Sequence, residues 1–540
     1  MKVKKDILVV VIIFLLFLFS VVVAESVNDV GEVQFSNSGP AAAQHAFLRG
    51  LALLHNFEYE DAAAEFRKAQ DLASGFAMAF WGEALTYNHP IWMEQDQNAA
   101  LAAMNRLGPT PEARLAKAGT QREKDFLQAV EILYGKGSKE ERDFAYAETM
   151  QRLLQKYPKD PDVAAFSALS LLGTAHHGRD FTIYMRAAAI LEEVFKDYPN
   201  HPGAVHYLIH CYDDPIHAPL GLRPARVYSK IAPSAGHAQH MTSHIFLALG
   251  MWDDVVSANE NAVRVVDVGR KEKGEPPSAC GHYNFWLMYG YLQQGRAEQA
   301  EALLARCRTV AEVGAANVPS GMQMLDPDNT KLGSLVQMWA RYVLDTEGWK
   351  GEVADWKIPA TKDLNPQITS HWVAGLRAIH RGELDRAREE LEQLKQLRTK
   401  LSTYTRENKE VDASYVDRAD ILESQLNGML LIATKQPTEG INLLQQAATK
   451  EESLPMDFGP PFIDKPTREL LGEAFLQLQR FQDAVPAFEA ALQRAPERTA
   501  SLLGLARAAS ASGDKETASH ILVKLRQIWK NADRVPDDMR

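Results

Sequence analysis

The chain has 540 residues, is 46% hydrophobic and 24% charged, and carries a formal charge of −11. Single cores seldom grow past roughly 250–300 residues, so this length excludes one compact core and asks for several domains or a repeat array; ordinary hydrophobicity excludes wholesale disorder. The acidic balance, without a Lys/Arg-rich tract in the body, offers little to a phosphate backbone, so no nucleic-acid partner is expected, and 3 Cys cannot make a disulfide framework.

In chain order, Lys2, Lys4 and Lys5 precede an apolar run from Ile7 to Ala24 broken only by Ser20. Residues 1–24 therefore read as a signal peptide or an N-terminal membrane anchor, and Val22-Val23-Ala24 before Glu25 favours cleavage after Ala24. Lysines ahead of the run favour the cytoplasmic side, so both readings place residues 25–540 outside the cytoplasm, periplasmic or secreted, with membrane contact only through this segment.

Beyond it, small and aromatic residues recur at fixed offsets. Near the end, Leu471-Gly472, Phe475, Ala484, Phe488, Ala491 and Pro496 set a pattern, and a shift of 34 lands on Leu505-Ala506, Ala509, Ala518, Leu522 and Leu525. The same register fits Gly50, Ala62, Phe66 and Ala69, then Gly375, Ala387 and Leu391, then Gly428, Gly440, Leu444 and Ala447. A small residue on one helix lets its partner approach closely, and the partner's small and aromatic residues fill that contact. This pattern resembles the tetratricopeptide repeat family over most of residues 41–532. The resemblance implies an all-α fold, an α-solenoid of helix-turn-helix repeats, and a protein or peptide partner held in a concave groove. Two arrays are expected, at 41–310 and 367–532, with an irregular junction at 311–366 where Pro319, Asp326-Pro327-Asp328-Asn329 and Pro359 interrupt the pattern around a helical segment near Leu335–Leu344.

Residues 200–290 are rich in histidine. Aligned by the helix B signals at Trp252 to Val255 and Arg296 to Ala300, positions Ile209, Ser243 and Met288 match Gly472. His206 and His240 then share one offset, His210 and His244 a second, His237 and His282 a third; both His206 to His240 and His210 to His244 span 34 residues. These offsets, with that of Asp213, lie on one helical face. The resemblance implies that this face lines the groove. By chance about 0.4 His would fall on these positions. Imidazoles four apart on a helix can share a metal ion, so His206, His210, His240 and His244 are candidate ligands of one ion or a pair. His237 and His282 could complete the shell, and Asp213 could ligate or orient a ring. Such ligands suit zinc, copper or iron. The competing reading is a set of histidines satisfied by backbone carbonyls, carboxylates or a bound peptide.

The strings HPGAVHYLIH, APSAGHAQHMTSHIF and ANENAV also resemble a group of exported bacterial repeat proteins with a His-rich block and no defined activity; Thr242 departs from the Pro usual there. No phosphate loop, H-E-x-x-H, G-x-S-x-G or C-x-x-C motif occurs. The expectation is thus a binding scaffold, with a metalloenzyme or metal-handling protein as the alternative. Cys280 at the start of one helix and Cys307 near the end of the next could pair in an antiparallel hairpin.

Overall fold

A computed structural model describes residues 29–314, 330–359, 361, 363–408, 413–533 and 535–536. The expected signal or anchor segment lies outside the described residues, as do 315–329, 360 and 362 of the expected junction. The chain is all-α, an α-solenoid of antiparallel helical hairpins, with one short antiparallel strand pair among the described residues, between Asn88–His89 and Glu94–Gln95. No helix among the described residues is long and apolar enough to cross a membrane.

The hairpins pack for the reason their spacing suggests. Helix Ala41–His55 lies against helix Tyr59–Leu72, and Gly50 sits so close to Phe66 that a Cβ there would stand 3.0 Å from the ring. Gly82, on helix Ala77–Leu85, meets the other side of the same ring, where a Cβ would stand 2.4 Å away. Phe488 is held identically near the C-terminus, between Gly472 and Gly504, with Cβ distances of 2.8 and 2.3 Å. Both rings are fully buried. These two repeats thus each insert one aromatic between two glycines sixteen residues to either side, where an added methyl crowds the ring.

Five successive helix starts between residues 96 and 160 are capped by side chains. Asp96, Thr110, Thr120, Ser138 and Asp160 each accept a backbone N–H of the first turn, and Thr120 with Glu123 and Ser138 with Glu141 form capping boxes.

Two compact units emerge: residues 1–176, 185–208 and 227–238 in the first, and 177–184, 209–226 and 239–540 in the second. The break falls inside the His-rich segment, so helices Phe181–Asp197, Pro202–Tyr212, Ala218–Ile231 and Gly236–Ala248 each contribute to both. Within the expected junction, helix Lys331–Asp345 buries Leu335, Met338, Trp339 and Tyr342 and packs against both Ala297–Gly314 and Leu364–Arg381.

In the second unit a buried ionic cluster ties four helices. The fully buried Arg498 guanidinium donates to Glu469 at 2.8 Å and to Asp345 at 2.5 Å, with the Tyr289 hydroxyl 3.4 Å away. Ser501 also donates to Glu469, and Lys465 pairs with Glu469 at 3.3 Å and with Glu473. Burial works to lower the Arg498 pKa, and the two carboxylates more than reverse it, so the guanidinium stays charged.

Candidate metal centre

Within the second unit, helix Gly236–Ala248 presents His240 and His244 one turn apart on the same face, and His282 opens helix His282–Gln293. The Nε2 atoms of His240 and His244 face each other at 3.0 Å, and the donor atoms of His240, His244 and His282 all lie within 4.8 Å of one another. His240 and His244 are 0% and 2% exposed, and the His282 ring centroid is 4.6 Å from that of His240.

The opposite ring nitrogens fix the protonation of this pair. His244 Nδ1 stands 2.5 Å from Oδ2 of buried Asp213, a carboxylate that can only accept, so Nδ1 carries the proton. His240 Nδ1 stands 2.6 Å from Oδ1 of Asn259. The Asn259 amide cannot turn over without loss, because its Nδ2 donates to the Val255 carbonyl at 2.9 Å; its oxygen therefore faces His240, and that Nδ1 is also the donor. In the neutral rings both Nε2 atoms then carry lone pairs aimed at each other. A shared proton or a cation resolves that arrangement. Burial pushes His244 below the ordinary imidazole range against the pull of Asp213, which disfavours the proton. Two nitrogens on one ion with bonds of about 2.0–2.1 Å stand about 2.9 Å apart at a right angle and about 3.4 Å apart at the tetrahedral angle, a range that includes the 3.0 Å contact, and a carboxylate behind a ligating ring is the usual outer support of such a ligand.

An apolar wall closes around the rings. Trp286 lies 4.3 Å from His244, 4.7 Å from His240 and 5.4 Å from His282, centroid to centroid, and Phe458 lies 5.6 Å from His244. Phe458 belongs to the segment between helices Pro437–Ser453 and Thr467–Gln477; the next residue, Gly459, has φ +90° and abuts Trp286 so closely that a Cβ would meet the indole at 2.3 Å. Behind Asp213, the buried Asp214 caps the following turn, accepting from the Ile216 and His217 amides and the His217 ring; Arg179 lies 3.6 Å away as a countercharge. Asp213 and Asp214 share a cavity of about 30 Å³ with Trp252, Tyr289, Phe458 and Arg494.

The remaining expected ligands fall differently. His206 and His237 are in the first unit, where their Nε2 atoms lie 3.2 Å apart and His206 Nδ1 donates to the His55 carbonyl at 2.7 Å. His210 belongs to the second unit, its ring centroid 6.1 Å from that of His244. The sequence grouped His206, His210, His240 and His244 as one set. In the second unit the close set is His240, His244 and His282, because the residue six before the register position on the following helix reaches the same point as the pair one turn apart. The groove reading also needs correction: His206, His210, His237, His240, His244 and Asp213 are all buried and do not line an open face. Cys280 and Cys307 are joined, and Cys211 is buried.

Asn259 lay within a recognised string without any signal that its amide would orient His240. A further cluster was not visible at all: in the first unit, His55, Asp162 and His201 gather their donor atoms within 4.8 Å. Burial pushes His55 down to about 4. It works to raise Asp162, but the facing His201 and His55 rings outweigh it and hold that carboxyl below its usual range. These residues are 39–146 positions apart and follow no repeat offset.

The architecture and the register define a class, an all-α chain of stacked helical hairpins. The tetratricopeptide repeat matches residues 475–530 and residues 24–75, so repeats of this family are present near both ends of the helical region. No curated relative matches the chain. Similar solved structures include the human IFIT1 dimer with m7Gppp-AAAA, at 13% identity over 92% of this chain and 91% of that chain with a TM-score of 0.33. The APC/C hetero-tetramer Cut9-Hcn1 matches at 13% over 92% and 76%, TM-score 0.34, and yeast Tom70 at 12% over 89% and 92%, TM-score 0.27. At such TM-scores these likenesses transfer no ligand or partner to this chain.

Proposed function

We propose that this chain is a tetratricopeptide-repeat scaffold for a protein or peptide partner, working outside the cytoplasm, whose second unit holds a transition-metal ion on His240, His244 and His282. The repeats support the scaffold part, since such repeats generally mediate protein–protein interaction. One observation carries the metal part: two buried rings, with both Nδ1 protons committed to Asp213 and Asn259, point their Nε2 lone pairs at each other across 3.0 Å. Asp213 orients His244 and offsets the charge of the ion, while Trp286 and Phe458 keep bulk water from the rings. Zinc, copper and iron all accept such nitrogen ligands.

A second reading, a metalloenzyme, is favoured by the same count. Three imidazoles leave at least one coordination position, the arrangement that catalytic zinc sites use to hold an activated water. Calorimetric titration of chelator-stripped protein with Zn²⁺ tests the shared premise. Tight binding is expected in wild type, with one fewer zinc per chain in the His240→Ala/His244→Ala double variant; equal stoichiometry in both would remove the proposal.

A further inference from the structure

The His55, Asp162 and His201 cluster of the first unit lies outside the proposed centre and outside every repeat offset. His55 is the last residue of helix Ala41–His55, Asp162 sits in the first turn of helix Pro161–Leu172, and His201 immediately precedes helix Pro202–Tyr212. They are 0%, 0% and 5% exposed. Asp162 Oδ1 stands 3.4 Å from His55 Nε2 and 3.5 Å from His201 Nε2. Charge-assisted N–H···O⁻ bonds close to about 2.7–2.9 Å, so these contacts are long for hydrogen bonds. They equal instead the edge of a tetrahedron with bonds of about 2.1 Å, which is roughly 3.4 Å.

Two more atoms point the same way. Asp162 Oδ2 and His201 Nε2 are both buried without a hydrogen-bond partner. A desolvated carboxylate with one oxygen unsatisfied is costly, and natural interiors seldom leave such groups without compensation. His55 Nδ1 lies 2.9 Å from the Tyr207 hydroxyl, whose oxygen can accept from it and leave Nε2 as a ligand.

We propose that His55, His201 and Asp162 bind a divalent transition-metal ion of the zinc class. The set supplies three donors from three separate segments, so the ion would pin the end of one helix, the start of a second and the turn before a third. His201 gives this binding a distinctive signature. Its Nδ1 accepts the Ala204 amide N–H at 3.2 Å, which places the ring proton on Nε2. An ion on Nε2 moves that proton to Nδ1 and opens the Ala204 contact. An internal water bridging Asp162 Oδ2 and His201 Nε2 requires no such change.

The test uses the full untagged chain, stripped with chelator, reloaded with Zn²⁺, desalted and assayed for zinc by mass spectrometry. Asp162→Ala is expected to lose one zinc per chain relative to wild type, and to lose one again when introduced into the His240→Ala/His244→Ala background. Zinc content unchanged by Asp162→Ala overturns the inference while leaving the second-unit centre standing; loss of zinc only in the histidine double variant overturns it equally. If Asp162→Ala fails to fold by circular dichroism, ¹⁵N-histidine spectra of wild type decide. Transfer of the His201 ring proton from Nε2 to Nδ1 on zinc loading supports the site, and an unchanged tautomer refutes it.

Discussion

Replacing Asp213 with Asn isolates the outer support of the second-unit centre from its ligands. The amide oxygen can still accept from His244 Nδ1, so the tautomer with a lone pair on Nε2 survives, but the negative charge is gone. That charge sits 2.5 Å from the ring, and both side chains are at most 2% exposed, so solvent screens it little. Loss of a carboxylate behind a metal-bound imidazole typically costs 10–100-fold in affinity, about 1.4–2.7 kcal/mol. The burial argues for the upper half of that range. Competition against a chromophoric chelator with Zn²⁺ measures it, with melting by circular dichroism to show that the variant is folded. His244→Ala, which removes a ligand outright, sets the scale of complete loss. A folded Asp213→Asn protein with wild-type zinc affinity would refute the reasoning, because the charge would then be shown not to act on the ion.

Three other outcomes follow from the packing. Arg498→Met leaves buried Asp345 without its countercharge and Glu469 with Lys465 alone, and is expected to destabilise the second unit by about 3–5 kcal/mol, read by urea denaturation; a change under about 1 kcal/mol counts against the ionic cluster as a clamp. Gly459→Ala forces a methyl into Trp286 at a backbone φ of +90°. It should cost about 1–3 kcal/mol and alter tryptophan emission, while an unperturbed spectrum and melt would show that the segment gives way. Burial raises the Glu473 carboxyl to about 7, against the pull of Lys465. A folded-state value above the unfolded one of roughly 4.3 contributes stability that is complete below pH 4.3 and is lost as pH rises through 7. Glu473→Gln should therefore flatten the stability profile between those limits, by about 1 kcal/mol once screening at a side chain 30% exposed is allowed for; an unchanged slope would assign the pH dependence elsewhere.

The repeat was legible because its determinants are local and steric. Gly50 with Phe66 and Gly472 with Phe488 show in sequence as a small residue and an aromatic at a fixed distance, and the same residues make the close contacts in the fold. Gly82 and Gly504, on the far side of each ring, complete the device from the next helix, outside the small-residue and aromatic pair of one hairpin. The histidine face was legible for a similar reason, since offsets of three and four return to one side of a helix. Which histidines meet was not, because that depends on how far the following helix is displaced. The difference brings His282 to His240 and His244 and places His206 beside His237. Burial was equally out of reach of periodicity: a polar face suggests a solvated groove, and here the interior accepts it because Asp213, Asn259 and the His55 carbonyl satisfy the ring nitrogens. The His55, Asp162 and His201 cluster depends wholly on tertiary proximity of turns and helix ends, where no period operates.

The most direct measurement is the transition-metal content of untagged full-length protein as purified, by inductively coupled plasma mass spectrometry, beside the His240→Ala/His244→Ala variant. The account predicts a stoichiometric ion in wild type that falls by at least one per chain in the variant. A wild-type protein free of transition metal, and unable to take up Zn²⁺ or Cu²⁺ at micromolar concentration, would contradict it.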